Sequence, residues 1–147
     1  MATTTATITL SSADLLSDNL SLSATTTLNK GGTTGTGLDQ FRMERFKIAT
    51  GTQFDLIEAT TAASEDANYV YICNKNTDAT HYVIISIYDV VIGRLYAGDW
   101  MFMPWDSDVV AVGAGGSAIE VQAYVAEAEL EYCLFHNGET KLTSDDS

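Results

Sequence analysis

Proline occurs once in the chain, at Pro104, cysteine only twice, at Cys73 and Cys133, and seven basic side chains stand against 20 acidic ones. Each scarcity excludes something. Two cysteines set in apolar, strand-like runs cannot form a disulfide framework. They read as buried free thiols ahead of a disulfide or a metal pair, and fit synthesis in a reducing compartment. A formal charge of −13 repels phosphate backbones and anionic headgroups at long range, so neither direct nucleic-acid contact nor a membrane partner is expected. No apolar run approaches the roughly 20 residues needed to cross a bilayer. The richest window, 82–95, is broken by Asp89, Gly93 and Arg94. Residues 1–10 hold neither a basic region nor an apolar stretch long enough for a secretory signal, and a soluble chain is expected.

Catalytic signatures are equally scarce. His81 and His136 fall at opposite ends of expected strands without a partner motif, and there is no Gly-x-Ser-x-Gly, His-Glu-x-x-His or Cys-x-x-Cys. The run 29–37, Asn-Lys-Gly-Gly-Thr-Thr-Gly-Thr-Gly, has its lysine before the glycines and no Gly-Lys-Ser/Thr ending, so it reads as a mobile loop or hinge and not as a phosphate cradle. No enzymatic activity, cofactor or metal is expected. Asp106 and Asp108 read as turn formers, the alternative being a partial Ca²⁺ ligand set, which needs six to eight oxygens.

What remains is enough for one domain. A chain of 147 residues, 46% apolar, buries roughly 68 to 70% of the surface its unfolded form exposes. Threonine is abundant and helical periodicity is missing, which favours strands. In 20–28, Leu20, Leu22, Ala24 and Leu28 share one parity while Ser21, Ser23, Thr25 and Thr27 share the other. A half-buried strand follows. Residues 5–10 repeat the pattern with Ala6, Ile8 and Leu10, and Ser12 is placed to cap one helical turn over 12–16. Further strands are expected over 41–48 and 53–59, with a polar loop over 60–67. Residues 69–74 and 81–88 read as a hairpin joined by the polar loop 75–80, the second strand lying mid-sheet because both its parities are apolar. Residues 95–98 lead into a strand over 99–104. Strands at 109–112 and 119–125 flank the turn Gly113-Ala-Gly-Gly116, and a last apolar stretch runs over 130–134. Apolar parity switches from odd at Ile119–Val125 to even at Leu130–Leu134, which implies a bulge or tight turn.

The expected fold is all-β: an antiparallel β-sandwich of jelly-roll type, with an extended N-terminal arm. The arm and its Gly/Thr-rich hinge occupy 1–37, the body 38–138 and a polar tail 139–147.

Three surface constellations admit more than one reading. Glu127, Glu129 and Glu131 share a parity and read as a solvated face. In the functional alternative they pair with Arg42, Arg45 and Lys47 of a neighbouring copy. Trp100 and Trp105, with Tyr96 and Tyr124, read as core, with an aromatic platform for a sugar ring as the alternative. Trp100 and Phe102 share one parity, and Met101, Met103 and Trp105 the other, so pleating buries at least one set.

Residues 68–135 carry a resemblance. The segments Tyr69-Val-Tyr-Ile-Cys-Asn-Lys-Asn76, Ile92-Gly-Arg-Leu-Tyr-Ala-Gly-Asp-Trp-Met-Phe-Met-Pro104, Ile119-Glu-Val-Gln-Ala-Tyr124 and Leu130-Glu-Tyr-Cys-Leu-Phe135 are, in their order, similar to small virion structural proteins of tailed bacteriophages, especially those of marine and cyanobacterial hosts. The Thr-rich start and Gly-Thr loop resemble the arms with which such proteins clasp neighbours. The resemblance implies a β-sandwich or jelly-roll body, no enzymatic role, and a place on the capsid or tail.

The residues themselves point the same way, since an acidic β-domain with an alternating apolar arm offers edges and faces but no reactive centre. Ile8, Leu10, Leu20, Leu22 and Leu28 are the arm residues expected to anchor a partner, through a strand added to a neighbour's edge. A chain this acidic is repelled by packaged DNA, which favours the outer shell. The expectation is a capsid decoration, or cement, protein on the outside of a virion assembled in the host cytoplasm. It would be a homo-oligomer, a trimer, bound to the major capsid protein. A tail, fibre or neck component is the alternative, and a carbohydrate-binding module a more distant one.

Overall fold

The computed structural model describes residues 3–15, 17–29, 34, 35, 37, 38, 40–57, 67–106 and 118–136. Ten strands are present among them: β1 (Thr4–Ser12), β2 (Leu20–Leu28), β3 (Gln40–Ile48), β4 (Gln53–Ile57), β5 (Ala67–Asn74), β6 (Tyr82–Ile87), β7 (Val90–Tyr96), β8 (Trp100–Asp106), β9 (Ile119–Tyr124) and β10 (Ala128–His136). β1 and β2 form a two-stranded sheet. The other eight make two four-stranded sheets: sheet I in the order β3-β10-β5-β8, and sheet II in the order β4-β9-β6-β7. The expected all-β sandwich is observed. The expected strand at 109–112, the turn at 113–116, the loop at 60–66, most of the Gly-Thr run, Asp108 and the tail from 139 lie outside the described residues.

Pairing within the body is nested. β3 pairs with β10, β4 with β9, β5 with β8 and β6 with β7, all antiparallel, as in one long hairpin folded over on itself. The innermost connection is two residues, Tyr88 and Asp89, both at positive φ as a type I′ turn requires. β7 was not separable in the sequence, because this turn lacks the usual Asn-Gly.

The core follows from the pleat. Val70 and Ile72 of β5 and Leu130, Tyr132 and Leu134 of β10 face Val83 and Ile85 of β6 and Ile119, Val121 and Ala123 of β9 in one cluster, which Trp105 joins. The parity switch between β9 and β10 is a tight turn at Val125, whose φ of 79° is strained for a β-branched residue. It carries the chain from sheet II to sheet I.

The expected hairpin of 69–74 with 81–88 is not formed. β5 belongs to sheet I and β6 to sheet II, so the polar loop between them is a crossing between layers. β6 does lie inside its sheet, between β9 and β7. The crossing is held by Asn74, which is fully buried. Its side-chain amide donates to the Leu95 carbonyl at 3.0 Å and the His81 carbonyl at 3.5 Å, and its Oδ1 accepts from the Asn76 amide at 3.0 Å. Its own backbone bonds the turn after β7, through Gly98 and Asp99. A buried polar side chain is tolerated here because its hydrogen bonds are made within the protein.

Asn74→Ala leaves the Leu95 carbonyl and the Asn76 amide without these bonds. It is expected to cost about 2 kcal/mol, lowering the melting midpoint by roughly 4–8 °C. Urea unfolding checks this, and a loss below about 0.5 kcal/mol would mean that backbone bonds alone hold the corner.

Candidate interaction surface

The arm is a folded hairpin, not a single extended strand. Its register, from Thr4 opposite Leu28 to Ser12 opposite Leu20, puts even residues of both strands on one face. Ala6, Ile8, Leu10, Leu20, Leu22, Ala24 and Leu28 therefore share a face, and the odd positions of both strands are all Ser or Thr. On the hydroxyl face the Thr7 and Thr25 side chains meet at 2.9 Å. Ser12 Oγ accepts from the Leu15 amide at 3.1 Å, the expected cap, but over bends that belong to the hairpin's connection and not over a helix. Ile8, Leu10 and Leu22 are exposed, while Leu28 is buried beside the Asn29–Gly37 bridge that closes the base of the Gly-Thr run. A lone two-stranded ribbon is marginal in water, so this face is built to be covered.

A second apolar face lies on the outside of sheet I. Its register aligns Phe41, Phe135, Tyr69 and Pro104 in one row, and Met43, Cys133, Tyr71 and Phe102 in the next. Arg45, Glu131, Cys73 and Trp100 make the third. Phe41 lies 5.2 Å from Phe135, Tyr69 stacks on Phe102 at 5.7 Å, and Tyr71 meets Trp100 at 6.1 Å, distances between ring centroids. Phe41, Met43 and Trp100 are more than half exposed. Cys73 and Cys133 are free thiols and buried despite their outward parity. Burial pushes the Cys133 thiol above its ordinary range, with Glu131 adding to it, and burial with the Cys73 thiol beside it pushes the Tyr71 hydroxyl up to about 12.

The charged residues of this face, for which pairing of Arg42, Arg45 and Lys47 with Glu127, Glu129 and Glu131 of a neighbouring copy is the alternative to a solvated face, meet partners within the chain. Antiparallel pairing of β3 with β10 brings Arg45 to Glu131 at 2.6 Å and Glu129 at 3.8 Å, and Lys47 to Glu127 at 3.5 Å. Arg45 holds the Glu131 carboxyl below the ordinary carboxylate range. Arg42 points the other way and pairs with Glu44, which also accepts from the Tyr132 hydroxyl at 2.8 Å. Partial burial opposes ionisation of Glu44, but these two partners outweigh it and hold its carboxyl low. Exposed ion pairs contribute only about 0–1 kcal/mol each, against about 1.5–3 for burying a large apolar side chain. Burial of the apolar rows would therefore outweigh the charges energetically on this sheet.

The aromatic platform is not assembled. Trp105 is buried in the core and Trp100 is outward, on opposite faces of β8. Tyr96 and Tyr124 lie on the outside of sheet II, each packed on Tyr82, with the Arg94 guanidinium 4.9 Å from that ring's centre. The same face is acidic near the Tyr88–Asp89 turn. Glu120, nearly fully buried, accepts from the Asp89 amide at 2.8 Å and lies opposite Asp55. Burial, with Asp89 and Asp55 adding to it, raises the Glu120 carboxyl above its ordinary value. His81 lies 3.6 Å from Asp78 in the crossing loop. Among the described residues no group of three or more His, Cys, Asp or Glu side chains is arranged to hold a metal ion, and no helix is long and apolar enough to cross a membrane.

Sequence reasoning named the hairpin's apolar residues but missed the aromatic face of sheet I. The available signal was the double parity of 69–73 and 100–105, apolar on both sides.

No family model matches the chain, and no curated protein and no solved structure matches it.

Two outcomes are expected. A raised folded-state value for an acid disfavours the native state once the group is ionised. Glu120→Gln should therefore raise the melting midpoint at neutral pH, with the gain shrinking to nothing as pH falls below the unfolded carboxylate range. An equal gain at pH 3 and pH 7 would count against a charge origin. Thiol labelling of the folded protein should be slow at both cysteines, and Trp100→Ala, which removes the cross-strand neighbour of Cys73, should speed it there. Rapid labelling of the unaltered protein contradicts the burial.

Proposed function

We propose that this chain is an adhesive structural subunit of a virion: a capsid decoration, or cement, protein on the outer surface of a phage head, reinforcing junctions between major capsid subunits. The supporting observation is the pair of uncovered apolar faces, one on the β1–β2 hairpin and one outside sheet I. Uncovered surface on this scale marks an interaction site. The nested pairing, read as a jelly roll, suits the family that residues 68–135 resemble, and the net charge of −13 favours the side of a shell away from DNA. A homo-oligomer, a trimer in this reading, multiplies weak contacts across a repeating lattice. A tail, fibre or neck location is the second reading, since the same faces serve there. The sugar-platform reading loses its geometric support with Trp105 in the core.

Adding the purified protein to shells that lack it should raise the temperature at which they release their genome, and a chain lacking residues 1–28 should do so less. Unchanged release temperature with the full chain refutes the cement role.

A further inference from the structure

We infer that the aromatic outer face of sheet I is the seat for the β1–β2 hairpin of a second copy of this chain, each copy giving its hairpin to the next. This deepens the adhesive reading above and rests on it.

Charge selects the occupant. Copies bearing −13 repel one another, so they can meet only where acid is absent or neutralised. The hairpin's strands, Thr4–Ser12 and Leu20–Leu28, contain no charged residue, and the acids of 1–28 are Asp14 and Asp18, both in the connection between the strands. At one end of the outer face of sheet I the charges balance, Arg45, Lys47 and Lys75 against Glu127, Glu129 and Glu131, and the rows of Phe41 and Met43 beyond them are aromatic, Met, Cys and Pro. The outside of sheet II and its β7 edge also expose apolar side chains, Val90, Val91, Ile92, Tyr96 and Tyr124, but there Asp55, Asp89 and Glu120 stand against Arg94, an acidic balance less suited to a like-charged partner.

Dimensions agree with this pairing. β1, β2, β3 and β10 are each nine residues, about 30 Å long. The apolar ribbon can therefore lie along the full length of the sheet. The hairpin joins the body at the start of β3, the end where Phe41 and Met43 are exposed. Within the single chain Ile8, Leu10 and Leu22 on one side, and Phe41, Met43 and Trp100 on the other, all remain exposed, so the chain's own hairpin does not satisfy its own sheet. Donor and acceptor are different surfaces, so the contact is head-to-tail, closing as a ring where the rotation between copies allows and running on as a filament where it does not.

The test uses the full chain with one surface disabled at a time. Leu10→Ser with Leu22→Ser removes the donor, and Met43→Ser with Trp100→Ser removes the acceptor. Fluorescence of the buried Trp105 and a thermal melt establish that each is folded, and Ile8→Ser or Phe41→Ser replaces any pair that is not. Mass in solution should show the unaltered chain as an oligomer and each variant as a single chain. An equimolar mixture of the two variants should double that mass, because one intact donor meets one intact acceptor. An unaltered chain that stays single at every concentration, a variant that still assembles alone, or a mixture that stays single overturns the exchange. The cement reading fails separately: an oligomer that forms as described but leaves shell stability unchanged refutes it and leaves the exchange standing.

Discussion

A pleated strand sends successive side chains to opposite faces, and in sheet I of this protein both sets are apolar. One set closes the core against sheet II. The other, from Phe41 to Trp100, cannot also turn inward, and among the described residues Phe41, Met43 and Trp100 stay exposed. The β1–β2 hairpin meets the same constraint in its simplest form, with seven apolar side chains on one face and only hydroxyls on the other. Among the described residues, folding one chain leaves these apolar side chains exposed to water, and the proposed function rests on that surplus.

The body's edges are blunted, which is why the proposed function rests on its faces. β3 turns the Arg42–Glu44 pair toward the interior side, and β8 carries the chain's single proline. The register slips at Asp55–Ile57 where edge strand β4 meets β9, and at Ile85–Ser86 where β6 meets edge strand β7. Inward charges, proline and bulges are the devices by which sheets avoid pairing edge to edge. A strand added to a neighbour's edge, the mechanism first suggested by the arm, has less to work with than a ribbon laid over a face.

Much of this was legible in the sequence where alternation was one-sided. The residues of β1 and β2 declare their apolar face outright, and the change from Val121 and Ala123 to Leu130 and Tyr132 implies a bulge or tight turn between them, which the structure places at Val125. Alternation is silent when both parities are apolar, so nothing in 100–105 decided whether Trp100 or Trp105 enters the core. Pairing was the other hidden quantity. Proximity in sequence suggested that 69–74 pairs with 81–88, yet Asn74 bonds the crossing loop and the end of β7, and β5 pairs with β8 and β10. The Arg45–Glu131 pair spans 86 residues and exists only because β3 and β10 are the outermost strands of the nest.

The charge distribution bears directly on the proposed contact between copies. A net charge of this size would oppose any contact between copies if it were spread evenly. Instead the hairpin strands hold none of it, and on the outside of sheet I the paired cations and anions of β3 and β10 cancel. Asp55, Asp89 and Glu120 sit outside sheet II, where Glu120 is retained against its own burial penalty. In the proposed exchange this repulsion disfavours orientations other than those that bring the neutral apolar faces together, so acidity would also narrow how one copy binds another.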